Sequence, residues 1–199
     1  MTLPAAAQLW LIRHGETEWS RSGQHTGRTD LPLTELGEEQ ARAVTGLLPP
    51  LTPALVLSSP RQRATRTAEL AGFRIDDTDE DLTEWDYGEY EGLTTPEIRT
   101  SDPGWTIWTG VTPGGETADE ICRRVDRALD RARRALADGP VLLFAHGHLS
   151  RVLAARWIGL GASEGGRFTL GTAAPSLLGA EHGTPVIVRW NIPNPVGDT

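Results

Sequence analysis

The chain contains no lysine: all 19 positions counted as basic are arginine. That absence excludes Schiff-base chemistry, attachment of pyridoxal phosphate and the lysine-bearing GxxxxGK[ST] phosphate loop. The single cysteine, Cys122, cannot close an internal disulfide and leaves no cysteine cluster for zinc, so a reducing cytoplasm is the expected setting. Positive charge is in deficit as well. The 27 acidic residues leave a net charge of −8, which disfavours long-range attraction to nucleic acid or to an anionic membrane. Neither partner is expected, and an anionic ligand must be held by a local basic pocket. The opening stretch MTLPAAAQLWLIRHGE lacks a basic n-region and meets Arg-His after a few apolar residues, which reads as neither signal peptide nor membrane span.

What is present describes a globular chain. With 199 residues, 38% hydrophobic and 23% charged, residues 1–199 read as one domain with a real core, and 22 glycines with 14 prolines predict many tight turns. Gln8–Arg13 is a short apolar run that reads as a strand buried on both faces and stops at His14-Gly15. Thr34 caps a predicted helix with Ala41, Val44, Leu47 and Leu48 inward, ended by Pro49-Pro50; Gly37 at its third position precludes a capping box. Ala54–Leu57 is a second strand. After it, Ser59, Pro60 and Gln62 predict a helix start with a capping box, and Gly72 stops the helix.

The acidic segment 74–92 reads as loop with short strand pieces. TADE at 117–120 opens a helix carrying Ile121, Val125, Ala128, Leu129, Ala132 and Leu136 inward, with acid-to-arginine pairs Asp119–Arg123, Glu120–Arg124 and Asp130–Arg134 on a solvated face. Val141–Ala145 is a buried strand ending at His146-Gly147, and a helix follows to Gly159. Phe168–Leu170, Ser176–Leu178 and Val186–Trp190 are predicted antiparallel strands. The alternation implies a three-layer α/β sandwich: a mostly parallel central sheet, helices on both faces and an antiparallel edge.

Two of these strands end in the same dipeptide, His14-Gly15 and His146-Gly147, at the carboxyl edge where α/β sheets bind ligands. Arg13 adjoins the first histidine. An arginine in the first turn of the helix after Ser59-Pro60, from among Arg61, Arg63 and Arg66, adds a forked donor near helix amides. Such a set suits a phosphoryl dianion. A metal reading competes through His146-x-His148, but no third ligand has suitable spacing. His25 is expected at the pocket edge and His182 in a structural turn. Of the seven tryptophans, Trp10 and Trp157 fit core positions, while Trp85, Trp105 and Trp108 fall near the expected rim.

The segment RHGET at 13–17 resembles the signature of the histidine phosphatase superfamily, also called phosphoglycerate mutase-like. Further similar segments follow in order: 27–41 (GRTDLPLTELGEEQA), 58–70 (SSPRQRATRTAEL), 82–92 (LTEWDYGEYEG), 113–117 (PGGET) and 144–148 (FAHGH). The sugar-bisphosphatase-like branch is the most similar, in TEWS at 17–20, GQHTGRTDLPLT at 23–34 and EWDYGEYEGLTT at 84–95. The resemblance implies a metal-independent phosphatase without cofactor, acting on a small phosphorylated metabolite through phosphohistidine on His14. It selects Arg63, with Arg13 and a protonated His146, for the phosphate pocket, and Glu84 as general acid. Carboxylate neighbours such as Asp86 and Glu89 are expected to help keep the proton on Glu84. Ser20, Thr26, Gly27, Tyr87 and Gly147 are implied on the substrate side, Ser20 standing where many relatives carry Asn. The alternatives are a phosphoglycerate mutase, disfavoured by the short segment from Gly92 to Glu116, and a phosphate-binding protein without turnover.

Overall fold

The computed structural model describes residues 3–4 and 7–197. Along the chain run β1 (Leu9–Arg13), α1 (Glu18–Ser22), α2 (Glu35–Leu47), β2 (Leu55–Ser58), α3 (Gln62–Leu70), β3 (Asp77–Thr78), α4 (Thr95–Ile98), α5 (Ala118–Ala135), β4 (Val141–Ala145), α6 (Gly147–Trp157), β5 (Pro175–Glu181) and β6 (Thr184–Arg189). They build one six-stranded sheet of order β3-β2-β4-β1-β5-β6. The first four strands are parallel, and β5 and β6 add an antiparallel edge. The expected sandwich is therefore the observed one.

Alternation along the buried strands divides the core in two. Leu9, Leu11, Val141, Leu143 and Ala145 face α5 and α6, while Trp10, Ile12, Leu142 and Phe144 face α2 and α3. Trp10 and Trp157 lie in the core as expected, and so do Trp85 and Trp105, whose rings are fully covered rather than on a rim.

Three local readings are corrected. Ser59 does not cap α3: the helix begins at Gln62 with no side-chain bond from its own N-cap, Arg61. Ser59 Oγ is instead held against the His146 ring, and Asp30 from the preceding loop accepts the Gln62 backbone N–H at 2.9 Å. Along α5 the expected pairs four residues apart do not form. Arg133 pairs with Asp130, and Arg124 is buried against Glu116 rather than solvated. Phe168–Leu170 is not a strand. A 3-10 turn over Ala162–Arg167 runs into extended chain there, and the Leu170 carbonyl accepts a bond from Arg13.

The glycine that precludes a capping box in α2 has a packing reason. A Cβ on Gly37 would lie 2.1 Å from the Glu16 carbonyl oxygen, and one on Gly15 would lie 2.2 Å from the Gly37 carbonyl oxygen. The loop after β1 rests directly on the first turn of α2, where no side chain fits.

Candidate active site

The two histidines meet because of sheet register. Arg13 pairs with Ala145 in the parallel β1–β4 ladder, so His14 and His146 each stand one residue beyond the same rung. Their ring centroids are 5.3 Å apart at 64°. The His14 backbone N–H donates to the Ala145 carbonyl, fixing the chain at the point where it leaves the sheet.

Each ring is held in one tautomer. His14 Nδ1 is 2.7 Å from the Gly15 carbonyl oxygen, an acceptor only, so Nδ1 carries the proton and Nε2 keeps a free lone pair. Burial, then the charges of Arg63 and Arg13, holds this ring well below its ordinary 6.5, so it is neutral. His146 Nδ1 accepts from Arg63 Nε at 3.1 Å, which puts its proton on Nε2, 2.8 Å from Ser59 Oγ. Burial and Arg63 keep His146 neutral too, so the expectation of a protonated His146 is overturned for the free pocket. With both nitrogens engaged inside the protein, His146 has none left to ligate a metal, which also removes the reading based on His146-x-His148.

The two arginines divide their work. Arg63 is fully buried. Beyond His146, it donates through Nη1 to Thr29 O and through Nη2 to Thr26 O and Gly27 O. Most of its fork thus shapes the loop from Thr26 to Thr29. Arg13 is less committed: Nη1 donates to Leu170 O at 2.5 Å, whereas its Nε–H is buried without a partner. A buried unpaired cationic donor is costly, and its chemistry suits an anionic partner.

Glu84 faces the same space. Its Oε1 accepts from the backbone N–H of Trp85 and Leu149, at 2.9 and 2.8 Å, and its Oε2 from that of His148 at 2.9 Å. Two of these donors belong to the first turn of α6, whose own N-cap, His146, makes no side-chain capping bond to the helix. Glu84 caps the helix from outside. Gly147 permits the approach, since a Cβ there would sit 3.3 Å from the Arg13 guanidinium and 3.6 Å from Glu84 Oε2. The acidic neighbours expected to crowd Glu84 are elsewhere: Asp86 pairs with Arg28, and Glu89 is exposed.

Arg13, His14 and Glu84 open onto a cavity of ≈ 280 Å³ lined also by Tyr87, His148 and Arg151 among others, with Arg63 and His146 behind its wall. Of the implied substrate-side residues, Ser20, Thr26, Tyr87 and Gly147 line it, and Gly27 faces a neighbouring groove. The Ser20 hydroxyl donates to Thr17 O and accepts from Thr17 N, so its only proton is used within the α1 capping box. Tyr87 Oη lies 2.6 Å from His148 Nδ1. Burial and the nearby Glu84 raise the phenol well above its ordinary value, so it keeps its proton and is the donor to His148. His25 stacks on Tyr87 at the cavity edge, and burial lowers it to about 4.

Sequence reasoning missed His148 and Arg151 as lining residues. Their three-residue spacing on the first turns of α6, beside His146, was the available signal. Arg151 donates Nε–H to Gly165 O and lies over the Trp108 ring at 4.4 Å, and it has no carboxylate partner among the described residues.

Comparison with known proteins agrees with this geometry. A family model described as Histidine phosphatase superfamily (branch 1) matches residues 9–193. An acid phosphatase of Mycobacterium tuberculosis is 44% identical over 178 residues, covering 88% of each chain. Sedoheptulose 1,7-bisphosphatase of Saccharomyces cerevisiae is 39% identical over 186 residues, 77% of this chain and 68% of the yeast protein. The solved structure of open reading frame Rv3214 from Mycobacterium tuberculosis superposes with a TM-score of 0.90 at 42% identity, covering 94% of this chain and 98% of the other. The chain belongs to branch 1 of the histidine phosphatase superfamily and is a phosphoric monoester hydrolase.

Proposed function

We propose that residues 1–199 act as one domain that hydrolyses a small phosphomonoester without a metal, through phosphohistidine on His14. The observation that carries this reading is the His14 tautomer: neutral, with Nδ1–H bound to Gly15 and Nε2 free beside an unpartnered arginine donor. His14 Nε2 attacks phosphorus as the bond to the leaving oxygen breaks. Arg13 Nε–H and the one N–H that Arg63 has to spare take the equatorial oxygens, so positive charge is in place without an ion. Glu84, as general acid, enters the step with a proton on its carboxyl. Glu84 passes the proton to the departing alkoxide. It then takes one from water, whose oxygen attacks phosphorus as the phosphorus–nitrogen bond breaks and its electron pair returns to His14, releasing inorganic phosphate with the imidazole neutral again.

For the substrate, Arg151 favours a molecule with a second acidic group. Arg151 lines the cavity with no carboxylate paired to it among the described residues, and burial lowers its pKa, so a second phosphate or a carboxylate would stabilise it. A sugar bisphosphate meets that requirement, as the name of the yeast relative suggests. Hydrolysis of 4-nitrophenyl phosphate in the presence of a chelator, with release of inorganic phosphate and no transfer to an added phosphoglycerate, tests this against a mutase and against binding without turnover.

A further inference from the structure

The PGGET segment and the buried Arg124 have no part in the steps above, yet both converge on Glu84 from behind. We propose that Arg124 and Glu116 form a clasp that sets the position of Glu84, an inference that rests on Glu84 being the acid.

Arg124 binds the Glu116 carboxylate through both edges of its fork, Nε to Oε1 at 2.6 Å and Nη2 to Oε2 at 2.8 Å. Its other donors reach three carbonyls of the acid-bearing strip: Asp81 at 3.0 Å, Thr83 at 2.6 Å and Glu84 itself at 3.1 Å. Glu116 grips the strip from the other side. Its backbone N–H donates to Asp86 O, and its carbonyl accepts from the Trp85 indole at 2.8 Å. The glycines ahead of it allow the contact, since a Cβ on Gly115 would lie 2.4 Å from Asp86 O and one on Gly88 2.1 Å from Pro113 O. Arg124 reaches the Glu84 backbone, while the Glu84 carboxylate is bound to α6, so the clasp governs where the carboxyl sits and leaves the nucleophile and phosphate donors untouched. It is a positioning device, and the planar fork makes it one that lysine cannot replace.

The test compares kcat/KM for 4-nitrophenyl phosphate, whose leaving group needs no proton, with that for an alkyl phosphate, whose leaving group does. Arg124→Lys keeps the charge and loses the fork. It is expected to lower the alkyl ester about 30-fold and the nitrophenyl ester about threefold, within the span of general acid catalysis. Glu116→Gln, a smaller change to the packing, is expected to shift the ratio in the same direction. In a Glu84→Gln background Arg124→Lys should add little to the alkyl defect, because the acid it positions is gone. Equal losses for both esters, lysine behaving like arginine, or full additivity with Glu84→Gln would each overturn the clasp. Phosphohistidine labelling separates the two levels: a labelled parent with an unshifted ratio defeats the clasp alone, and an unlabelled parent defeats the phosphatase reading beneath it.

Discussion

His14 and His146 are neighbours by register: each follows one rung of the β1–β4 ladder, and their rings stand 5.3 Å apart. Only one of them has a free nitrogen. His146 is bound on both sides by Arg63 and Ser59, while His14 offers Nε2 to the cavity. On the proposed mechanism the pair divides into a nucleophile, His14, and a support, His146, that orients Arg63. His14→Ala is expected to lower kcat by at least about 10⁴-fold while inorganic phosphate still binds, because Arg13 and Arg63 remain. Steady-state assay with phosphate titration by calorimetry checks both halves.

Glu84→Gln keeps the shape and removes the carboxyl proposed as the general acid. Its kcat/KM should fall about 10²-fold or more for alkyl phosphates and far less for 4-nitrophenyl phosphate. A leaving-group series gives the answer directly, and a uniform loss would assign Glu84 a role in binding.

Arg151→Gln removes the uncompensated charge in the cavity. A sugar bisphosphate should lose about 10- to 100-fold in kcat/KM, as for a charge-assisted hydrogen bond worth about 1.5–3 kcal/mol, while the corresponding monophosphate changes little. Comparable losses on both would give Arg151 a structural role at Trp108 and Gly165.

Acid is expected to weaken stability in a range where it leaves the His14 nucleophile intact. His14 is held well below 6.5, so the neutral nucleophile persists as pH falls from 7 to 6, and kcat/KM for 4-nitrophenyl phosphate should show no loss of nucleophile there. The unfolded chain, by contrast, takes protons on His14, His146 and His148 near pH 6.5, which the folded chain does not. His25, held at about 4, adds to this. Unfolded protein thus binds more protons, and stability should fall as pH drops below about 6.5, by up to about 1.4 kcal/mol per pH unit for each such group. Melting temperatures from pH 8 to 5 check the sign; a rise on acidification would contradict it.

Gly37→Ala is expected to destabilise by about 1–3 kcal/mol, since its Cβ has no room against Glu16 O, and to disturb the tautomer lock at Gly15 through the same contact. Chemical denaturation measures the first effect and kcat the second.

The sheet and the principal site were legible in the sequence because they rest on local signals. Continuous apolar strands, the caps at Thr34 and Thr117, and two His-Gly strand ends all show in a few residues. What was not legible depends on distant partners. Ser59 looks like a cap until His146 claims it. Arg124 looks solvated until Glu116 and three carbonyls surround it. The state of His146 follows from Arg63, far away in sequence. Phe168–Leu170 has strand composition, yet the Leu170 carbonyl is committed to Arg13 rather than to a ladder.

On the proposed mechanism the phosphoryl group passes through His14. Rapid quench of the enzyme with a ³²P-labelled phosphomonoester into alkaline detergent, followed by peptide mapping, tests it most directly. The account predicts an acid-labile, alkali-stable label on His14 that is absent from His14→Ala. Turnover without any such label, or a label that survives in His14→Ala, would contradict it.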